Sequence, residues 1–176
     1  ELGSLEDSLR SAERRARETL LAHALHPRFG ASPLTPETIL PVQTTQLRAP
    51  CTGVLQLIDM ARLQYCLPEG KSIYLGVSPG VHVLEGEVIA QVSGDVDSAT
   101  CAAICDALTF GAHRSHEQDA EFGLTVLSEI ASKALSPGVN DPGTAIEAVI
   151  LLKSLLWAYA RQPPSPDLSS ASQVFV

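Results

Sequence analysis

The spacing of apolar residues changes period twice along the chain, and those changes divide it. Over residues 5–25, Leu5, Leu9, Ala12, Ala16 and Leu20 recur at three- and four-residue intervals, the stripe of an amphipathic helix. Ser4 stands before them as an N-cap, with Asp7 three residues on, and Pro27 and Gly30 end the pattern. Over residues 49–92 the period shortens to two. "CTGVLQLID", "SIYLGV" and "SPGVHVLEGEVIAQV" alternate and are broken by glycine turns, which predicts short strands in a small barrel or sandwich. "MARLQYCLPEG" fits a short helix between them. From Asp95 the helical period returns. Asp97 is placed to cap a helix on which Cys101, Ile104, Cys105 and Leu108 share a face and which Gly111 closes. The spacing predicts a further helix over about 119–135, with Phe122, Val126, Leu127, Ile130, Ala131 and Ala134 inward, and a last one over about 142–160.

The predicted fold class is α+β: a small β barrel-sandwich-like segment followed by a helical hairpin or bundle, with an N-terminal helix. The predicted divisions are the helix at 1–29, a Pro/Thr-rich linker at 30–48, the β segment at 49–94, the helical segment at 95–162 and a Pro/Ser-rich tail at 163–176. The last helix is apolar almost all round between Ala145 and Leu156. A helix without a wet face is buried centrally or lies in an oligomer interface. Its unbroken apolar run, 148–152, is far short of a bilayer span and is followed by Lys153.

Composition narrows the function classes. A net charge of -8 argues against nucleic acid as a partner, because phosphate contacts need a surplus of cations. Arg10, Arg14, Arg15 and Arg17 are interleaved with acidic residues and read as a solvated helix face. Aromatics make up 5% of the chain, so the core must be aliphatic. None of the four cysteines forms a C-x-x-C pair, and Cys101 and Cys105 lack two further zinc ligands. They read as small buried residues, which favours a reducing compartment. No signal peptide is visible in the polar first residues. His23 and His26 suit the end of a helix dipole. His113 and His116, with Asp119 or Glu121, have the spacing of a metal pair, but Gly111 stops the helix that would align them. We assign no metal and no cofactor. No G-x-S-x-G, P-loop, H-E-x-x-H or dinucleotide fingerprint is present.

The joint "SPGVNDPGTA" between the last two helices is the densest candidate site. Gly138 is placed for the left-handed conformation that ends a helix. Asn140 or Asp141 can cap the next one, and Pro142 suits its first position. One cap does not need Ser136, Asn140, Asp141 and Thr144 together. Those four, with Arg114, Gln118 and Asp119 from "AHRSHEQDAE", are the candidate small-ligand residues. In an antiparallel hairpin the two groups stand at opposite ends of one helix, so they share a site only if the last helix folds back or a second subunit intervenes.

Two resemblances follow from these strings. The spacing P-G-x-x-V-x-x-G-x-x-I-x-x-V, from Pro79 to Val92, resembles the hairpin of lipoyl and biotinyl carrier domains. Carrier chemistry needs a lysine at the hairpin tip, and Lys71 is elsewhere, so this resemblance implies a scaffold only. The second is more specific. "FGAHRSHEQDAEFGLTVLSEIASKALSPGVNDPGTAIEAV" resembles the signature of a bacterial family of predicted multi-pass membrane proteins, the domain-of-unknown-function family 2254. Gly111, Arg114, Gln118, Asp119, Phe122 and Gly123 match it, then residues 134–142, Thr144 and Ala145. "TGVLQLID" and the carrier-like hairpin are similar to its β segment. Gly143 stands where that family usually has a larger residue, and neither His113 nor His116 belongs to the pattern.

The resemblance implies that this chain is the soluble C-terminal part of a longer protein of the bacterial inner membrane. Its own transmembrane helices would be partners, and this region would be cytoplasmic. It supplies no biochemical activity. The leading reading is therefore a non-catalytic module that assembles as a homo-oligomer and senses a ligand or gates a path. A hydrolase using Asp119, Asn140 or Asp141 is the enzymatic alternative. An adaptor that binds another protein through its β segment is the third.

Overall fold

The computed structural model describes residues 2–163 and 173–176, so most of the Pro/Ser-rich tail lies outside the described residues. The described residues fold as two compact units, one of 26–118 with 173–176 and one of 2–25 with 119–163.

The first unit is mainly β. One sheet has the strand order β1-β5-β3-β7, formed by β1 (Thr44–Arg48), β5 (Val88–Ser93), β3 (Ile73–Leu75) and β7 (Val174–Phe175). The other has the order β4-β2-β6, formed by β4 (His82–Val83), β2 (Gly53–Ile58) and β6 (Leu108–Gly111). Pairing is antiparallel except between β3 and β7. The sheets do not close into a barrel. Both feed one aliphatic core, in which Leu47, Leu55, Ile58, Ile73, Leu75, Ile89 and Val92 are almost fully buried. Two helices, α2 (Met60–Cys66) and α3 (Ser98–Cys105), add Leu63 and Ile104 to it.

Three expectations change here. The Pro/Thr-rich linker ends before Thr44, because Thr44–Arg48 alternates and pairs with β5 as β1. Asp97 does cap α3, accepting the Thr100 N–H at 2.7 Å, but α3 stops at Cys105. Leu108 is not its next turn. Leu108–Gly111 is the strand β6, drawn out by pairing with β2. A helical spacing of seven placed Leu108 on the right face by coincidence. Gly111 is not a helix stop either. It pairs with Val54 in β2, and a side-chain carbon on the preceding Gly53 would lie 2.9 Å from the Gly111 carbonyl oxygen, so the close approach needs a glycine at 53.

The second unit is a three-helix bundle of α1 (Leu2–Leu25), α4 (Phe122–Ala134) and α5 (Pro142–Ala160). The predicted α1 stripe is the buried one: Leu9, Ala12, Ala16 and Leu20 pack with Leu127 of α4 and Ala148 and Leu155 of α5. The helix begins at Leu2, so Ser4 lies inside it and is not its cap. After Leu25 the chain turns through left-handed conformations at Arg28, Phe29 and Gly30, with φ of 54°, 56° and 81°.

Of the two placements its composition allows, the helix α5 does not take the centrally buried one within the chain. Only 22% of its apolar window is buried. Ala148 and Leu155 face the bundle core, while Ile146, Val149, Ile150, Leu156 and Trp157 are each more than half exposed. Among the described residues it is the one helix long and apolar enough, by length and composition, to cross a membrane.

The helices α1 and α4 approach each other closely at Gly123. A methyl group there would overlap the Cα and Cβ of Ala16. An ordinary helical glycine gains about 1 kcal/mol on conversion to alanine. Overpacking loses about 1–3 kcal/mol. Gly123→Ala is therefore expected to lower the midpoint of thermal unfolding followed by circular dichroism.

Candidate functional site

The joint between α4 and α5 is held by backbone bonds that use each of its polar residues. The helix α4 ends with the Ser136 N–H donating to the Lys133 carbonyl at 3.1 Å. The Ser136 hydroxyl donates to the same carbonyl at 2.7 Å. The Ser136 carbonyl then accepts the N–H groups of Val139 and Asn140, at 3.0 and 2.8 Å. Asn140 takes the left-handed conformation, with φ of 47°. This corrects the sequence reading, which gives that role to Gly138. Gly138 does not have a positive φ. Asparagine tolerates the left-handed region because its short polar side chain bonds locally, and here the left-handed residue is two positions later than a simple helix stop requires.

Asp141 closes the joint from both sides. Its N–H donates to the Ala134 carbonyl at 2.8 Å, tying the new helix to the end of the old one. Its side chain caps α5, accepting the Thr144 N–H at 3.2 Å. The Thr144 hydroxyl donates to the other carboxylate oxygen, and Pro142 fills the first helical position. Thr144 is buried at 5% exposure, so its hydroxyl would be unsatisfied without Asp141. Thr144 thus holds the carboxylate that caps the helix, a role that its position in the sequence alone does not reveal. The Asp141 carboxyl lies below the usual carboxylate range, first because of the Thr144 hydroxyl and then the Thr144 N–H, with a small opposing effect of desolvation.

The other cluster is also committed to backbone. Gln118 brackets one residue of β2: its Oε1 accepts the Ile58 N–H at 2.7 Å, and its Nε2 donates to the Ile58 carbonyl at 3.0 Å. The side-chain amide thereby stands in for a neighbouring strand. One bulge makes a second anchor. Gln56 is the extra residue where the β2–β6 register shifts between Leu55 and Leu57. It donates to the His113 carbonyl at 2.6 Å. Asp119 is buried at 4% exposure and accepts the Phe122 N–H at 3.1 Å, capping α4. Arg114 is half-buried and His113 is exposed.

Within the helical unit Asp119 starts α4 and the Ser136–Thr144 joint ends it. The 13 residues of α4 separate them by about 20 Å at 1.5 Å per residue. Asp119 therefore does not meet Asn140 and Asp141, as one hydrolytic centre would require. Among the described residues no group of three or more His, Cys, Asp and Glu stands ready to hold a metal ion. Cys101 and Cys105 are half-buried rather than core residues. Burial pushes the Cys105 thiol up, with Cys101 and Asp106 adding to it. An open hollow of about 130 Å³ over Leu34, Leu40, Tyr74, Val88 and Ile89 contains none of the candidate residues.

The fold and its motifs define a mixed α+β module in which Gln118, Asp119, Ser136, Asp141 and Thr144 hold the backbone at its joints. The family described as "Predicted membrane protein (DUF2254)" matches residues 1–175, and the chain belongs to that family. It is 29% identical over 116 residues to the uncharacterized protein MT1328 of Mycobacterium tuberculosis (strain CDC 1551 / Oshkosh), covering 62% of this chain and 22% of that protein. It is 30% identical, with the same coverage, to Mb1321c of Mycobacterium bovis and to Rv1290c of Mycobacterium tuberculosis strain H37Rv. The match spans about a fifth of the length of these relatives. No solved structure matches the chain.

The lowered Asp141 carboxyl has a consequence for stability. A group with a depressed folded value stabilises fully above its unfolded value, about 4, and loses that contribution as pH falls through the folded value. Asp141→Ala is expected to unfold at a lower temperature than the parent at pH 7, and the gap should close as the pH is taken below 4. Asp97, whose carboxyl is also lowered, titrates in both proteins and cancels.

Proposed function

We propose that this chain is a non-catalytic assembly module of a bacterial inner-membrane protein, working on the cytoplasmic side. Its partners are further copies of itself and the membrane helices of the longer protein. The observation that carries the reading is the outer face of α5. Five large apolar side chains, Ile146, Val149, Ile150, Leu156 and Trp157, are 51–66% exposed on one helix. Contiguous apolar surface of that kind is normally covered by a partner.

Protein is a better cover than lipid. Lys153 lies near the middle of α5 and is exposed. Placing a lysine at the centre of a bilayer opposes insertion by about 3 kcal/mol. A spanning α5 would also give up the packing of Ala148 and Leu155 in the bundle core. The polar residues support the same reading from the other side, since Gln118, Asp119, Ser136, Asp141 and Thr144 are engaged with backbone or with one another. A module that joins copies outside the bilayer is also suited to couple sensing or gating among them.

Light scattering on the purified chain, and on the full-length protein in detergent, tests this reading. We expect the mass of two or more chains in both. A strict monomer in both would overturn it.

A further inference from the structure

We infer that two copies pair through α5 itself, antiparallel, about a two-fold axis near Ile150. This rests on the assembly reading above and gives it a geometry.

The outer face of α5 has the periodicity of a helix-pairing seam. Gly143, Ile146, Ile150, Lys153 and Trp157 follow one another at intervals of three, four, three and four, the a and d spacing of a heptad. All five are exposed. Val149 and Leu156 widen the apolar strip on one side, and Glu147 lies on the other. At their printed exposures, 51–66%, the five apolar side chains leave on the order of 600 Å² uncovered, against about 800 Å² per partner in a standard interface. With its polar rim, one helix face approaches what a stable pair needs.

Charge selects the orientation. Glu147 and Lys153 stand three residues before and three after Ile150. In an antiparallel pair centred there, Glu147 meets the partner's Lys153, and the symmetry repeats the contact. In a parallel pair the seam would instead set Lys153 against the partner's Lys153 with no carboxylate between them, which disfavours that arrangement. Shape agrees with charge. Gly143 and Trp157 are each seven residues from Ile150, so the same axis places the Trp157 indole over a position with no side chain. A lipid surface would use neither relation.

Sedimentation equilibrium on the full chain tests the pairing, with circular dichroism confirming that each variant is folded. Glu147→Lys alone and Lys153→Glu alone should each weaken dimerisation by roughly tenfold or more, because each creates like-charge contacts twice over. The double exchange E147K/K153E should restore it. Gly143→Leu is the second probe. A side-chain carbon there meets only Asp141 Oδ1, at 3.3 Å, within its own chain. Because that oxygen caps α5, the variant must first unfold at the parent's temperature; it should then weaken the dimer by filling the space for Trp157. A dimer indifferent to all four variants would overturn the antiparallel seam and leave assembly standing. A parent chain that is monomeric would overturn both. Co-sedimentation of the monomer with anionic phospholipid vesicles, lost in Ile150→Asp, would assign the face to lipid and also overturn the inference.

Discussion

The outer face of α5 depends on the joint that ties the helix to α4. The Asp141 N–H is held by the Ala134 carbonyl, and its carboxylate is held by the N–H and hydroxyl of Thr144. The first bond fixes the point at which α5 leaves α4, and the other two start the helix with Thr144 buried. Ala145, Ala148 and Leu155 are buried with it, and Ile146, Ile150 and Trp157 are left outside. Much of the polar density at the joint serves this turn and cap.

The same economy governs the β unit. The segment after β6 is secured to β2 by two glutamines, Gln56 reaching His113 and Gln118 bracketing Ile58. Gln118 satisfies partly buried backbone groups of Ile58, and Gln56 ties down an exposed carbonyl. Gln118 and Asp119, adjacent in sequence, divide the work: one completes a strand edge and the other caps a helix. Two adjacent polar residues of the motif thus serve the backbone of two different elements.

Local chemistry was legible in the sequence and long-range pairing was not. The α1 stripe, the Asp97 cap and the Asp141-Pro142 start of α5 depend on neighbours within four residues, and each stands where its spacing puts it; on α4, Leu127 and Ala134 are buried and Val126, Ile130 and Ala131 pack partly, while Gly123, not among the expected inward residues, is buried in place of Phe122. Leu108 failed that logic because β2, some 50 residues earlier, claims it for a sheet. The partner of Gln118 is 60 residues away, and β7 is two residues long, too short to carry a period. The left-handed residue of the joint was misplaced from Gly138 to Asn140 for a different reason. Glycine is the default for that conformation, but the Ser136 carbonyl accepts two successive N–H groups and moves the turn onward.

What membership of a membrane-protein family leaves open, the outer face of α5 addresses physically: a strip of apolar residues crossed by one lysine suits a second copy of the chain. Trp157, the single tryptophan, sits on that strip and is 66% exposed, so its fluorescence reports directly on whether the face is covered. Emission should shift to shorter wavelength as the concentration is raised through the range where the mass doubles, and return on dilution. Emission that stays at the long wavelength of a solvated indole while the mass doubles would show that the copies meet elsewhere and would contradict the account.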